Sequence, residues 1–215
     1  QRKTYKRNIN KACGYDGISH KMLKNTYLTV SKPLCILFNR SLSEGIYPEN
    51  WKLANVTPLF KKGDKSEVSN YRPVSLLSSC GKLFERLVFK NMYNFFLDNN
   101  LLYKYQSGFL PNHSTSMQLV DIYHHICQTF DNRQVSCMVF CDISKAFDRV
   151  WHKGLLFKLQ ANGINGNLLA WLSSYLRNRM QRVVLHSSES GLRYINAGVP
   201  QGSVLGPLLF LIYVN

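Results

Sequence analysis

Along the 215-residue chain, blocks with helical spacing of apolar side chains alternate with short apolar or alternating runs. Between 81 and 100 (GKLFERLVFKNMYNFFLDNN), Leu83, Phe84, Leu87, Val88, Met92, Phe95 and Phe96 follow an i, i+3/i+4 rule. This predicts an amphipathic helix ended by Asn99-Asn100. The same spacing (Met22, Leu23, Leu28, Leu34, Leu37, Phe38) predicts helix over 20–40, broken by Pro33. Further helices are expected at 114–131, at 144–160 with a stop at Asn162-Gly163, at 167–176, and after the turn GVPQGS. Strands are predicted at 51–60, 136–143 (SCMVFCDI), 181–186 and 192–197, the last two around a Ser-rich turn, with 71–79 extended. The order gives an α+β or mixed α/β fold, without internal repeats.

Charge sharpens that picture. The chain carries 27 Lys+Arg against 12 Asp+Glu, a formal net charge of +15. With 45% apolar and 13% aromatic residues it can bury a core, which excludes a disordered basic tail. Such an excess suits a polyanion, nucleic acid or an anionic membrane face; a basic domain without such a ligand is the plain alternative. Residues 1–40 hold nine Lys/Arg and one acid, Asp16, so the N-terminal half is the basic one. The longest apolar run, LGPLLFLIYV, has ten residues and an internal proline, half of the ~20 that span a bilayer, so no membrane segment is expected. No signal peptide is visible either. A start at Gln1 and a stop at Asn215 directly after an apolar run suggest a chain cut at both ends. The six cysteines form no C-x-x-C pair and are expected to be reduced intracellular thiols, buried as small hydrophobes. His124, His125, Cys137 and Cys141 lack zinc-site spacing, because adjacent histidines on a helix diverge by about 100°.

Acids are scarce, so one at a strand end is informative. Alternation in SCMVFCDI puts Met138, Phe140 and Asp142 on one face, and an Asp there must cap the next helix, be paired or hold a cation. Ser144 is the alternative cap. Asp148 is within reach of Lys145 or His152 on the following helix and reads as structural. In GVPQGSVLGP, Gly198 and Gly202 allow close backbone approach, and the Gln201 amide between them both donates and accepts. Lys61, Lys62 and Lys65 occupy a hairpin tip suited to phosphate as point charges, and Arg72 beyond it suits bidentate contact. Alone, the first reads as a plain turn and the second, by default, as a solvated basic loop.

Five ordered blocks tie these features together: KACGYDGISHKMLK, NYRPVSLLSSCGKLFERLV, QSGFLPNHSTSMQL, FCDISKAFDRVWHKGLLFKL and GVPQGSVLGPLLFLIYVN. They resemble the successive blocks of the reverse transcriptase domain of non-LTR (LINE-type, jockey-like) retrotransposons, over nearly the whole chain. The resemblance implies the right-hand polymerase architecture: fingers plus an incomplete palm, without a thumb. Residues 1–44 would be a basic extension and helix, and 45–135 fingers and fingers/palm helices. The first palm strand and the start of the following helix would span 136–150, with helices and a hairpin at 151–197 and the nucleotide-pocket turn and a helix at 198–215. By the same resemblance Asp142 is the first palm aspartate, binding magnesium (or manganese in its place), with the Ile143 carbonyl as a backbone ligand. Phe147 is the aromatic gate under the incoming sugar. Lys61 or Lys62 and Arg72 hold the triphosphate, Gln201 and Gly202 line the nucleotide pocket, and Gln106, Ser107 and Gly108 lie along the template.

The implied partners are an RNA template, a DNA primer or target and deoxynucleoside triphosphates; the implied reaction is two-metal nucleotidyl transfer, inside the cell. Two divalent ions about 3.5–4 Å apart need several carboxylates. The family supplies the others from a Tyr/Phe-Ala-Asp-Asp hairpin, which is absent from these 215 residues. The chain alone is therefore expected to be inactive. Cys13 and Tyr15 depart from the commoner pattern of the first block. A nucleic-acid-binding remnant without activity is the rival reading. An intron maturase shares the fold, but the wording of NYRPVSLLS and KAFDRVWH favours the retrotransposon.

Overall fold

A computed structural model describes residues 12–185 and 188–215. The basic run at 1–11, and 186–187 at the end of one expected strand and the start of the Ser-rich turn, lie outside the described residues. Ser19 accepts from the Met22 amide and opens helix α1 (His20–Asn25), and α2 (Tyr27–Glu44) follows after Thr26. The break predicted at Pro33 falls at Thr26 instead, and Pro33 lies inside α2. Packing overrides the missing amide: Val30, Leu34 and Leu42 lie against the core, and Phe38 stacks on Phe84 at 4.4 Å. Gly45, left-handed at φ 67°, ends the helix.

Strands β1 (Leu53–Phe60) and β2 (Tyr71–Leu76) form an antiparallel hairpin, with Asn55 opposite Leu76 and Phe60 opposite Tyr71. The loop between them is the predicted basic tip. Ser78 accepts from the Gly81 amide and opens α3 (Ser79–Asp98), whose Leu83, Phe84, Val88, Met92 and Phe96 are buried as their spacing requires. Helix α4 (Thr115–Asp131) forms where expected but buries none of its residues. Helices α5 (His152–Ala161) and α6 (Gly166–Leu176) pack together, burying Leu155, Leu159, Trp171, Leu172, Tyr175 and Leu176. Strand β3 (Arg179–Leu185) pairs in parallel with β1, and β4 (Ser188–Glu189) and β5 (Arg193–Ile195) pair antiparallel with β3. The apolar helix α7 (Gly206–Val214) closes the core through Leu208, Leu209, Leu211 and Ile212. The fold is mixed α/β, one sheet ordered β2-β1-β3 with helices packed beside it. Tyr47, Trp51, Phe84 and Trp171 meet edge-on at its centre.

Three further expectations are corrected. No strand forms over 136–143: these residues are exposed, with Phe140 at 82%. A strand exists only where a neighbour completes its ladder, and among the described residues nothing pairs with this segment. The helix expected over 144–160 is split. Lys145 is left-handed at φ 53°, a 3₁₀ turn follows (Ala146–Arg149), and α5 begins only at His152, so neither Asp142 nor Ser144 caps a helix. Of the cysteines, Cys80 is buried, but Cys35, Cys137 and Cys141 are exposed.

Candidate nucleotide and template site

The residues singled out by sequence meet mainly around the turn at 198–205, which three elements hold. The Gly198 and Val199 amides donate to the Val150 and Phe147 carbonyls, both at 2.8 Å, and His152 Nε2–H donates to the Gly198 carbonyl at 2.8 Å. Gly198 has φ +86°, and a Cβ there would stand 2.8 Å from the Phe147 carbonyl oxygen. On the β2 side, the Ser75 amide donates to the Gln201 carbonyl at 2.7 Å. Gly202, at φ +126°, lies so close to β2 that a Cβ would be 2.6 Å from the Ser75 carbonyl oxygen. Both glycines are therefore required, one by each wall.

Gln201 is tied down as well. Its Nε2 donates to Asp148 Oδ1 at 3.0 Å, so the Asp148 side chain pairs with the turn and not with the Lys145 or His152 side chain as the sequence suggested. Phe147 stacks on Phe210 of α7 (5.0 Å between centroids) and meets Phe109 edge-on at 5.6 Å. That aromatic group joins the loop bearing Gln106, Ser107 and Gly108 to the same side of the molecule. Gln106 Nε2 donates to the Gly108 carbonyl, and Asn215, at the end of α7, accepts from the Tyr103 amide at 2.9 Å.

Arg72 is exposed on β2, three residues from Ser75. Lys61, Lys62 and Lys65 are exposed on the hairpin tip, which is braced internally: the Asn70 side chain donates to the Asp64 carbonyl and the Tyr71 hydroxyl to the Lys65 carbonyl. The Ser66 amide, donating to Asp64, holds that carboxyl below its usual range. The structure thus brings Phe147, Gln201 and Gly202 together beside the strand of Arg72. Asp142 and Ile143 stay apart, in the exposed segment before the 3₁₀ turn, and Asp142 makes no hydrogen bond or ion pair among the described residues. No three potential metal-ligating side chains stand together among those residues, and none of their helices is long and apolar enough to cross a membrane.

Sequence reasoning missed Glu85. It is fully buried on α3, and its Oε2 accepts from the Val204 (2.6 Å) and Leu205 (3.1 Å) amides at the start of α7. Burial pushes its carboxyl up, opposed chiefly by the Leu205 amide and the buried Arg179 guanidinium. Arg179 donates to the Tyr175 carbonyl and lies over the Tyr175 ring, whose hydroxyl burial raises far above its usual range. The available signal was the helical period itself, which puts Glu85 on the stripe of Gly81, Val88 and Met92.

Comparison with known proteins adds the lineage. Residues 60–215 match the model of the reverse transcriptase (RNA-dependent DNA polymerase) family. The chain is 37% identical over 206 residues to a probable RNA-directed DNA polymerase from transposon BS of Drosophila melanogaster, covering 95% of this chain and 23% of that protein. It is 36% identical to the corresponding probable enzyme of transposon X-element (95% and 22%) and 34% identical to the RNA-directed DNA polymerase of mobile element jockey (96% and 23%), both from the same species. The chain thus spans under a quarter of the length of these relatives, and by its family match it belongs to the reverse transcriptases.

Proposed function

We propose that the chain is the nucleotide- and template-binding part of an RNA-directed DNA polymerase of a non-LTR retrotransposon, acting inside the cell on an RNA template, a DNA primer or target and deoxynucleoside triphosphates. The observation that carries the reading is the convergence of Phe147, Gln201 and Gly202 on one turn walled by the strand of Arg72. In this reading 45–135 belongs to the fingers and 136–150 and 198–215 to the palm. Lys61 or Lys62 and Arg72 take the triphosphate, the first as a point charge and the second as a planar fork. The Phe147 ring, buttressed by Phe210, forms the floor under the sugar and leaves no room for a 2′-hydroxyl. The Gln201 side chain is oriented by Asp148 toward the nucleotide.

The Asp142 carboxylate and the Ile143 carbonyl are hard oxygen donors of the kind magnesium takes. Magnesium usually needs only one or two protein carboxylates, with waters and substrate phosphates completing the shell. These two residues fit part of one ion's shell, and manganese takes the same donors. When bound, such ions lower the pKa of a primer 3′-hydroxyl and neutralise the triphosphate. A second ion needs carboxylates beyond Asp142, so catalysis is expected of the complete polypeptide and not of these 215 residues alone.

The sugar gate gives the test. In the complete polypeptide carrying this chain, single-nucleotide incorporation on an RNA template should favour deoxy- over ribonucleotides. Phe147→Val should raise ribonucleotide incorporation about a hundredfold, the scale of losing one steric exclusion of a few kcal/mol. Equal discrimination by wild type and variant would remove Phe147 from the pocket.

A further inference from the structure

We propose that Glu85 is a positioning residue for the nucleotide pocket: its buried side chain holds the Val204 and Leu205 amides, just beyond Gln201 and Gly202, fixing where that turn meets β2. The inference rests on the nucleotide reading of the turn given above. The 198–205 turn has three external anchorages. Its beginning hangs on the Phe147 and Val150 carbonyls and on His152, and its middle on the Ser75 amide and Asp148. Its end hangs on Glu85, 119 residues away in sequence, through Val204 and Leu205. Ser203 adds local bonds, donating to the Pro200 carbonyl and accepting from the Gly206 amide at the start of α7. Without Glu85 the amides of Val204 and Leu205 would lose their acceptor in a buried place, and the end of the turn would be free to shift away from β2.

Several features support a fixed acceptor. Glu85 is 0% exposed and Arg179 2%, so water does not compete for either group. Arg179 is itself immobilised by its bond to the Tyr175 carbonyl and its place over that ring, and its charge opposes the burial of the Glu85 carboxyl. Both amides go to one oxygen, Oε2. A carboxylate, a neutral carboxyl or a glutamine amide can each present such an oxygen, whereas alanine cannot.

The test has two arms. In the 215-residue chain, hydrogen exchange should show Glu85→Ala speeding exchange at Val204 and Leu205 by about tenfold or more, the scale of one hydrogen bond to a charged acceptor. Amides of α5 should be unaffected. Glu85→Gln, which keeps an acceptor oxygen, should speed the same two amides only about threefold. If the alanine variant does not fold, Glu85→Met, which fills the space without an acceptor oxygen, decides: a rise confined to 204 and 205 supports the proposal, and no rise overturns it. In the complete polypeptide, Glu85→Ala should raise the deoxynucleotide KM on an RNA template about tenfold with kcat within about threefold, and Glu85→Gln should recover most of the loss. Unchanged exchange at 204 and 205, or a fall in kcat with KM unmoved, overturns the proposal. If Gln201→Ala raises KM and Glu85→Ala does not, the role of Glu85 is what fails. If neither moves KM, the nucleotide reading of the turn fails and takes the proposal with it.

Discussion

Gly202 stands where a side chain has no room. Its φ of +126° belongs to glycine, and a methyl group would come within 2.6 Å of the Ser75 carbonyl oxygen, an atom fixed in β2. Gly202→Ala should therefore destabilise the fold by about 1–3 kcal/mol, read from urea unfolding. Gly17→Ala is the control: it also has positive φ but nothing within 4 Å of the added carbon, so its loss should be about 1 kcal/mol and come from the backbone alone. Equal losses at the two positions would show that the contact with β2 does not constrain the turn. Such residues were legible in sequence, since two glycines and a proline around a glutamine mark a constrained turn whatever the fold. Glu85 was not, because a helix read only by its apolar members hides a charged residue on the same stripe. Asp148 was assigned to local helical partners, and its actual partner is 53 residues away. Helical spacing cannot reveal a contact of that range.

At the scale of elements, a sequence pattern was reliable for several elements that complete their own hydrogen bonds. Helices α3 and α6 and the β1–β2 hairpin fall within a few residues of expectation. The segment 136–143 has a strand's composition, but a strand makes all its ladder hydrogen bonds with neighbours, and none stands beside it among the described residues. The left-handed Lys145 then splits what the apolar spacing joined into one helix. The β1–β2 tip gives the prediction at this scale. Its lysines are exposed and its loop internally braced, so it presents charge at a fixed place. If Lys61 and Lys62 both touch phosphates, the double alanine variant should bind single-stranded RNA more weakly and reduce the slope of log affinity against log salt by about 1.4. An unchanged slope, measured by fluorescence anisotropy across a salt series, would take the tip out of the interface.

For the whole molecule, the net charge of +15 and the placement of its residues belong to one account. Basic side chains project from the hairpin and β2, while an aromatic core and the apolar helix α7 support the turn beside them. The scarce acids divide by role: Glu85 and Asp148 hold the turn, and Asp142 waits in the exposed segment without a partner among the described residues. The central claim is that Asp142 serves nucleotidyl transfer and not the fold. It is tested most directly by primer extension on an RNA template with magnesium, comparing the complete polypeptide with its Asp142→Asn variant and measuring template binding in parallel. The account predicts that the variant loses extension by about a thousandfold or more, the scale of removing a group that stabilises transition-state charge, while binding template within about threefold of wild type. Extension that persists in Asp142→Asn, or template binding lost together with it, would contradict the account.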